Sequence, residues 1–311
     1  LRIMDLVIKV IGGVVRFITG ASRLESTVGA ASIFVGMVEA PLAILPYLRK
    51  MTRSQLFTVM SCGMASIAGT VLVVYISLGV DAKLLIIASF MAAPGGLLMG
   101  KLLVPETETP YDISSFNPKD AADNPNKATN LIEAATSGAL TGLQIMLNVV
   151  AVIIAFVAMI ALVNGIFAGL GNINWFWKDG WTINNLINND LSLEWVFGII
   201  FAPIAWLIGV PSGEVMAAGP FLGQKLVANE FLAYLNFTKD MSNFSLQGQV
   251  AITVALCGFA NFSSIAILMG GIGAMAPSRR KEIAQLGLKT VLAATLANLM
   301  SAALAGFYLS L

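Results

Sequence analysis

Acidic side chains inside apolar stretches are the residues of this sequence best placed to do chemistry. Glu39 and Glu214 each lie in a long apolar segment, beside Gly and Pro residues that interrupt regular helix. A carboxylate within a membrane is costly and usually serves a function, although a buried acid bonded to a local backbone amide is the alternative. Glu25 and Glu230 lie in the same two segments, and capping or bracing of those segments explains them equally well.

The composition excludes several other kinds of chemistry. The 311 residues include no histidine, which excludes a Ser-His-Asp triad, a His-based zinc site and a His proton switch. Cys62 and Cys257 lie in apolar stretches and make neither a disulfide framework nor a metal cluster. Eighteen basic and 17 acidic residues give no basic face for nucleic acid. Because 57% of the residues are hydrophobic and 11% charged, the solvent of this chain is the lipid bilayer.

The elements that must position the acids are membrane helices and interrupted hairpins. The first 20 residues predict an amphipathic interfacial helix. Segments 24–48 and 211–237 are too broken by Gly and Pro for a simple crossing, so we expect them to form re-entrant hairpins. The remaining charge-free runs predict an all-α membrane protein, and they cover residues 54–80, 84–100, 134–177, 195–213, 241–278 and 290–311.

Lys and Arg residues set the predicted orientation, because they concentrate on the cytoplasmic side of membrane proteins. The clusters at 49–53 and 279–281 are both assigned to the cytoplasm, as is the polar linker 105–128. The Asn-rich loop 171–191, which holds one basic residue, then lies outside. The assignment is self-consistent for a multi-pass protein, which we expect in the cell inner membrane.

The chain repeats itself weakly. Cys62–Ser66 resembles Cys257–Asn261, and Ser22–Glu25 stands upstream in the same relation as Pro211–Glu214. The order of elements is the same in both halves, which start on opposite sides of the membrane. Such an inverted-topology repeat is typical of transporters. The predicted divisions are a first repeat, a cytoplasmic linker, a long scaffold helix and a second repeat, at residues 1–104, 105–128, 129–170 and 171–311.

Seven motifs occur in one order along nearly the whole chain, at Ala21–Ser26, Phe34–Leu42, Ala65–Gly69, Ala92–Gly96, Pro105–Glu108, Val227–Phe231 and Ala255–Ile267. On these motifs the sequence resembles a bacterial member of the concentrative nucleoside transporter family. The resemblance implies a homotrimer, in which a mobile transport domain carries nucleoside across the membrane like an elevator against a scaffold. It also implies that roughly the first three transmembrane helices of the family precede this chain.

The resemblance assigns ribose binding to Glu214, Asn261 and Ser264. A carboxylate accepts hydrogen bonds from two hydroxyls, and an amide both donates and accepts. Asn261 and Ser264 are three residues apart, so one helix face carries both. Phe259 resembles the aromatic neighbour of the substrate, and Val71 matches an apolar position near the base.

The first hairpin departs from the family at two positions. Relatives commonly have Gln-Thr before the hairpin-tip Glu39, and both side chains contact the base, but Met37 and Val38 stand here. Each lost hydrogen bond is worth roughly 0.5–1.5 kcal/mol. We therefore predict that ribose recognition is retained and that base preference is relaxed or altered.

The coupling ion is a further expectation from the resemblance. A candidate sodium site consists of Ser32, Val35, Ser66 and Ile67, with main-chain carbonyls and small polar groups as ligands. Ser32 stands where sodium-coupled relatives have Asn, and its shorter side chain weakens the case for sodium. Sodium is therefore favoured only slightly over proton coupling through Glu39 or Glu214. Apart from such an ion, the sequence predicts no cofactor.

Three alternatives stay open at this point. A permease for a different solute, such as a free nucleobase, would bind without ribose, and a channel would need no ion gradient. An intramembrane enzyme would need His, paired Cys or acids at metal-ligand spacing, none of which the sequence offers.

Overall fold

The computed structural model describes residues 3–111, 130–173, 182–187 and 190–310. Most of these residues are helical, and the described ranges contain no β-strand. The prediction of an all-α fold is therefore confirmed. Most of the linker 105–128, and part of the loop 171–191, lie outside the described residues.

The first repeat contains five α-helices and one 3₁₀ helix. The 3₁₀ helix spans Ala40–Tyr47, contains Pro46 and forms the returning arm of the first hairpin. In chain order the α-helices are α1 (Ile3–Thr19), α2 (Arg23–Ser32), α3 (Arg53–Ala65), α4 (Gly69–Ser77) and α5 (Ala82–Leu103). Residues 24–48 are therefore interrupted, as predicted for a hairpin.

The second repeat has the same order of elements. A long helix, α6 (Leu131–Gly171), and a short one, α7 (Ile183–Ile187), separate it from the first. Its α-helices are α8 (Leu193–Leu207), α9 (Val215–Val227), α10 (Glu230–Asp240), α11 (Leu246–Leu256), α12 (Ser263–Met275) and α13 (Arg280–Ser310). Helices α9 and α10 form the second hairpin, with residues 228–229 between them.

Helices α3 and α4 are the two halves of one broken helix, and α11 and α12 are the two halves of another. The second half of each packs on the other repeat. Leu268 and Ile272 of α12 share a buried core with the first hairpin and α3. Tyr75 of α4 lies in a second core with α9, α10 and α11, where its ring packs against that of Tyr234 with centroids 4.6 Å apart. The two repeats are therefore interlocked.

Three of the described helices are long and apolar enough to cross a membrane, and they span Arg53–Ser77, Ala82–Leu103 and Pro277–Leu309. The first of these contains the break between α3 and α4. The 41-residue α6 runs for about 60 Å at the usual helical rise. It contacts α7 and α8, and many of its described side chains are exposed.

The two basic clusters that set the predicted orientation lie at one end of the molecule. The guanidinium of Arg279 donates to the backbone carbonyls of Met51 at 2.7 Å and Leu48 at 3.4 Å. Because both clusters must face the same side of the membrane, this contact agrees with the assignment of both to the cytoplasm.

Candidate functional site

The site is built on two helix breaks that face each other. Helix α3 ends at Ala65 and α4 begins at Gly69, while α11 ends at Leu256 and α12 begins at Ser263. The backbone N–H of Phe259 donates to the carbonyl of Ser66 at 3.2 Å, which joins the two breaks directly. Helix ends leave backbone groups without partners, so such a junction can bind polar solutes and ions.

Glu230 is the carboxylate at this junction. Its side chain accepts a hydrogen bond from the Tyr75 hydroxyl at 3.1 Å and another from the Asn261 amide at 3.0 Å. Asn229 caps α10 by accepting from the N–H of Leu232, which fixes the position of Glu230 at the first turn. Glu230 is only 6% exposed, so the surrounding helices shield it in this conformer.

Asn261 connects Glu230 with two serines. Its Oδ1 accepts from the hydroxyl of Ser263 at 2.7 Å and from the N–H and hydroxyl of Ser264 at 2.9 and 3.0 Å. Asn261 and Ser264 are both buried, whereas Ser263 is partly buried. The predicted pair Asn261 and Ser264 is therefore in direct contact. With Tyr75 and Glu230 they form a buried set of hydrogen bonds that we call the Tyr75–Ser264 network.

Glu214 lies elsewhere, and this corrects its predicted place beside Asn261. Its carboxylate accepts from the N–H of Ser245 at 3.0 Å and from the Ser245 hydroxyl at 3.2 Å, at the N-terminal end of α11. Asn261 follows the opposite end of that helix, which is about 16 Å long. In the repeat, Glu214 corresponds to Glu25, so it belongs to the foot of its hairpin.

Glu25 lies at the foot of the first hairpin and also binds neighbouring elements there. It forms a capping box with Ser22 and an ion pair with Lys101 of α5 at 2.7 Å. The counterpart of the hairpin-tip acid Glu39 in the second repeat is therefore Glu230. The sequence alone favoured a functional role for Glu230 no more than a role in capping or bracing its hairpin.

The tip of the first hairpin lies against both broken helices. Glu39 is exposed, and its carboxylate lies over Gly36 so closely that a Cβ there would collide with it. Met37 is 5% exposed and packs against Gly63 of α3, and the Val38 methyl groups contact Gly271 of α12.

The two apolar candidates lie beside the Tyr75–Ser264 network. Phe259, in the α11–α12 break, is partly buried and contacts both buried cores. Val71, in the first turn of α4, is partly buried and packs against the second core. Both residues line the region where the two breaks meet.

The candidate ion ligands lie on two adjoining segments. The carbonyl of Phe34 accepts from the N–H of Gly69 at 3.0 Å, which joins the segment of Ser32 and Val35 to that of Ser66 and Ile67. Ser32 is fully buried, and its hydroxyl has no hydrogen-bond partner. The Ser66 hydroxyl donates to the Gly63 carbonyl at 3.0 Å. Within the described ranges, no three His, Cys, Asp or Glu side chains group to hold a metal ion.

Tyr75, Lys225 and Asn298 are polar residues of this region that sequence reasoning did not assign. Lys225 is buried in α9 and hydrogen-bonds with Asn298 of α13 at 2.8 Å. The sequence did carry a signal for Lys225, since a positively or negatively charged residue within an apolar membrane segment marks a function by default. Tyr75 and Asn298 carry no such signal, because their partners lie far away in the sequence.

Helix breaks that meet at a buried polar network, with a re-entrant hairpin packed on each, define a membrane transporter built from two repeats. The sequence matches the family described as Na+ dependent nucleoside transporter C-terminus over residues 84–306, and one described as nucleoside recognition over residues 1–82. The chain belongs to the Na+-dependent concentrative nucleoside transporter family. It is thus a multi-pass membrane transporter and not an enzyme, as the sequence predicted.

Bacterial and animal relatives match over nearly the whole chain. YutK of Bacillus subtilis, described as an uncharacterized transporter, is 50% identical over 99% of this chain and 73% of its own length. The nucleoside permease NupC of Helicobacter pylori is 42% identical over 100% of this chain and 71% of its own. Solute carrier family 28 member 3 of Homo sapiens is 34% identical over 98% of this chain and 44% of its own.

Solved structures of CNTnw have the same fold. CNTnw in an inward-facing substrate-bound state is 48% identical and gives a TM-score of 0.88, covering 99% of this chain and 70% of that chain. A CNTnw variant in an intermediate state is 47% identical and gives a TM-score of 0.85, covering 98% and 71%.

Proposed function

We propose that this protein imports nucleosides by symport with sodium, through movement of the two interlocked repeats across the membrane. The Tyr75–Ser264 network is the observation that carries the proposal, because it places a buried carboxylate, an amide and a hydroxyl at the meeting point of two helix breaks. Membership of a Na+-dependent nucleoside transporter family supports both the solute and the ion.

Glu230, Asn261 and Ser264 are the proposed ribose-binding residues. A carboxylate accepts from two neighbouring hydroxyls, which suits the 2′ and 3′ positions of ribose, and the Asn261 amide supplies both a donor and an acceptor. In this conformer these groups bond to one another. Ribose hydroxyls would therefore replace internal hydrogen bonds, so that Glu230, Asn261 and Ser264 have hydrogen-bond partners both before and after binding.

The base is proposed to lie between apolar walls. Phe259 and Val71 are partly buried beside the Tyr75–Ser264 network and can cover a planar ring. Met37 and Val38, which pack against Gly63 and Gly271, offer the base no hydrogen-bond donor or strong acceptor. Recognition in this proposal rests mainly on the sugar, so the transporter accepts a broad range of bases.

Sodium is the proposed coupling ion because the candidate site has the groups that a hard cation prefers. Hydroxyl and carbonyl oxygens at Ser32, Val35, Ser66 and Ile67 are ligands of this kind. The buried Ser32 hydroxyl, which has no hydrogen-bond partner, supports an ion there, since a buried polar atom without a partner is unfavourable. A proton carried by Glu230 or Glu39 is the competing assignment.

In the proposed movement, the two repeats move together relative to α6. The crossed packing of α4 and α12 makes the two repeats one body, whereas α6 contacts α7 and α8 and exposes apolar side chains such as Leu140, Leu147 and Ile154. This arrangement supports an elevator that slides on α6, and α6 is also suited to contacts between protomers of a homotrimer.

Radiolabelled uridine and adenosine uptake into proteoliposomes tests the proposal. We expect accumulation under an inward sodium gradient, competition by unlabelled nucleosides and by high ribose concentrations, and little competition by free bases. Full uptake without sodium under an inward proton gradient would show that the coupling ion is the proton and not sodium. Competition by free bases as strong as by nucleosides would favour a nucleobase permease, and uptake independent of any gradient would favour a channel.

A further inference from the structure

Lys225 is a buried cation that binds the end of a broken helix. Its side chain is 4% exposed, and its ammonium donates to the carbonyl of Ala255 at 2.7 Å and to Oδ1 of Asn298 at 2.8 Å. Within the described part of the chain, the ion pairs do not include Lys225, so no carboxylate lies within 4 Å of its ammonium. Its direct partners are therefore neutral oxygens.

Asn298 carries the contact on to the other repeat. Its Nδ2 donates to the carbonyl of Ala65 at 2.7 Å, while its Oδ1 accepts from Lys225. The space around it is tight, because a Cβ on Gly258 would collide with both Asn298 and the Ala65 carbonyl. A continuous chain of hydrogen bonds thus runs from Ala255 through Lys225 and Asn298 to Ala65.

The two carbonyls at the ends of this chain belong to helix C-termini. Ala65 is the last residue of α3, and Ala255 is the second-last residue of α11. The last carbonyls of a helix have no partner within the helix and carry partial negative charge. An ammonium at one end and an amide N–H at the other therefore hold both breaks in one arrangement.

The neighbours of these residues belong to the two proposed sites. Ser66, a candidate ion ligand, follows Ala65 directly, and Glu230 lies five residues after Lys225 across the hairpin turn. An ion coordinated by carbonyls at the α3–α4 break would move the Ala65 carbonyl. Asn298, which binds both Ala65 and Lys225, would then move the hairpin that carries Glu230.

We propose that Lys225 and Asn298 are positioning residues that couple ion binding to nucleoside binding. The proposal rests on the proposed sodium symport, and it adds the physical connection between the two sites. Removing either residue lowers the thermodynamic linkage between the ligands, which is the factor by which one ligand improves the affinity of the other.

Uridine affinity measured with and without saturating sodium tests this coupling in the purified transporter. In the unaltered protein we expect sodium to tighten uridine binding about 10-fold or more, within the usual range of allosteric coupling. Asn298→Ala breaks both links and should reduce that factor to about 2-fold or less. Asn298→Asp keeps an acceptor for Lys225 but loses the donor to Ala65, so it should also reduce the factor, and Lys225→Gln should do the same.

Thr295→Val is the matched control. Thr295 lies in the same helix as Asn298 and lines a small cavity beside Lys225, of about 30 Å³, but its buried hydroxyl has no hydrogen-bond partner. Replacing it should leave the sodium factor unchanged. A normal sodium factor in both Asn298 variants would overturn the coupling proposal alone. No sodium effect in the unaltered protein would overturn the sodium symport itself, and the coupling with it.

Discussion

The two hairpins have the same place in their repeats but treat their polar groups in opposite ways. At the first hairpin, Glu39 is exposed and the buried Ser32 hydroxyl has no partner. At the second, Glu230 is buried with two hydrogen bonds, and Lys225 supplies a cation of its own. One repeat thus leaves groups open for a ligand, while the other fills the corresponding region with its own side chains.

The feet of the hairpins are, by contrast, alike. Glu25 accepts from the backbone N–H of Ser22 and pairs with Lys101, and Glu214 accepts from the N–H and hydroxyl of Ser245. In both repeats an acid ties the foot of the hairpin to a neighbouring element. The difference in the partners of polar side chains therefore lies at the tips and breaks, where we propose that transport takes place.

The largest expected effect separates the acid at the tip from the acid at the foot. Glu230→Gln should lower uridine uptake about 100-fold or more, because two hydrogen bonds from ribose to a charged group are each worth about 1.5–3 kcal/mol. Glu214→Gln is the matched control, since its side-chain carbonyl still accepts from Ser245, and uptake should stay within about 3-fold of the unaltered rate. Initial rates in proteoliposomes, normalised to the amount of protein inserted, provide the measurement.

A result in which Glu214→Gln abolishes uptake and Glu230→Gln does not would reverse this assignment. It would restore Glu214 as the ribose-binding acid, and it would mean that the Tyr75–Ser264 network only stabilises the fold.

A smaller effect distinguishes two buried serines of α2. The hydroxyls of Ser32 and Ser26 are both buried without a partner, but only Ser32 adjoins the α3–α4 break. Ser32→Ala should raise the half-saturating sodium concentration about 2- to 10-fold, which corresponds to one ligand contact of about 0.5–1.5 kcal/mol. Ser26→Ala should leave it unchanged.

Thermal unfolding completes that comparison. Neither serine has a hydrogen bond to lose, so the midpoint without sodium should be nearly the same in both variants. Equal sodium affinities in Ser32→Ala, Ser26→Ala and the unaltered protein would place the ion elsewhere.

The smallest effect concerns the base. Changing Met37 to Gln and Val38 to Thr together introduces the pair that the family resemblance implies. It should change the uridine-to-adenosine uptake ratio about 2- to 5-fold, because only the difference between the hydrogen bonds made to the two bases counts. The total rate for the better nucleoside should change little, because the ribose contacts are untouched. An unchanged ratio would show that these two side chains, which pack against Gly63 and Gly271, do not face the base.

The sequence predicted the fold well because membrane solvent restricts the possible elements. Charge-free runs of sufficient length, and segments interrupted by Gly and Pro, leave few arrangements in which backbone groups are satisfied. The repeated motifs Cys62–Ser66 and Cys257–Asn261 also mark equivalent places in the two repeats, since α3 ends within the first motif and α11 ends just before the second.

The site was predictable only in part. Asn261 and Ser264 lie three residues apart, so their proximity follows from local helix geometry. The choice between Glu214 and Glu230 depends on which end of α11 each acid reaches, and that is set by tertiary packing. The same holds for Lys225, because its carbonyl partner is 30 residues away and Asn298 is 73 residues away.

The crossed packing of the broken helices has a consequence for biogenesis. The hydroxyl of Tyr75 bonds to Glu230, a residue 155 positions later, and the Asn298 amide bonds to Ala65 across 233 positions. Helix α4 therefore enters the membrane well before its partners are synthesised. Completion of the first half must wait for the second, and a chain truncated before α9 would leave that half without its native neighbours, open to chaperone or protease.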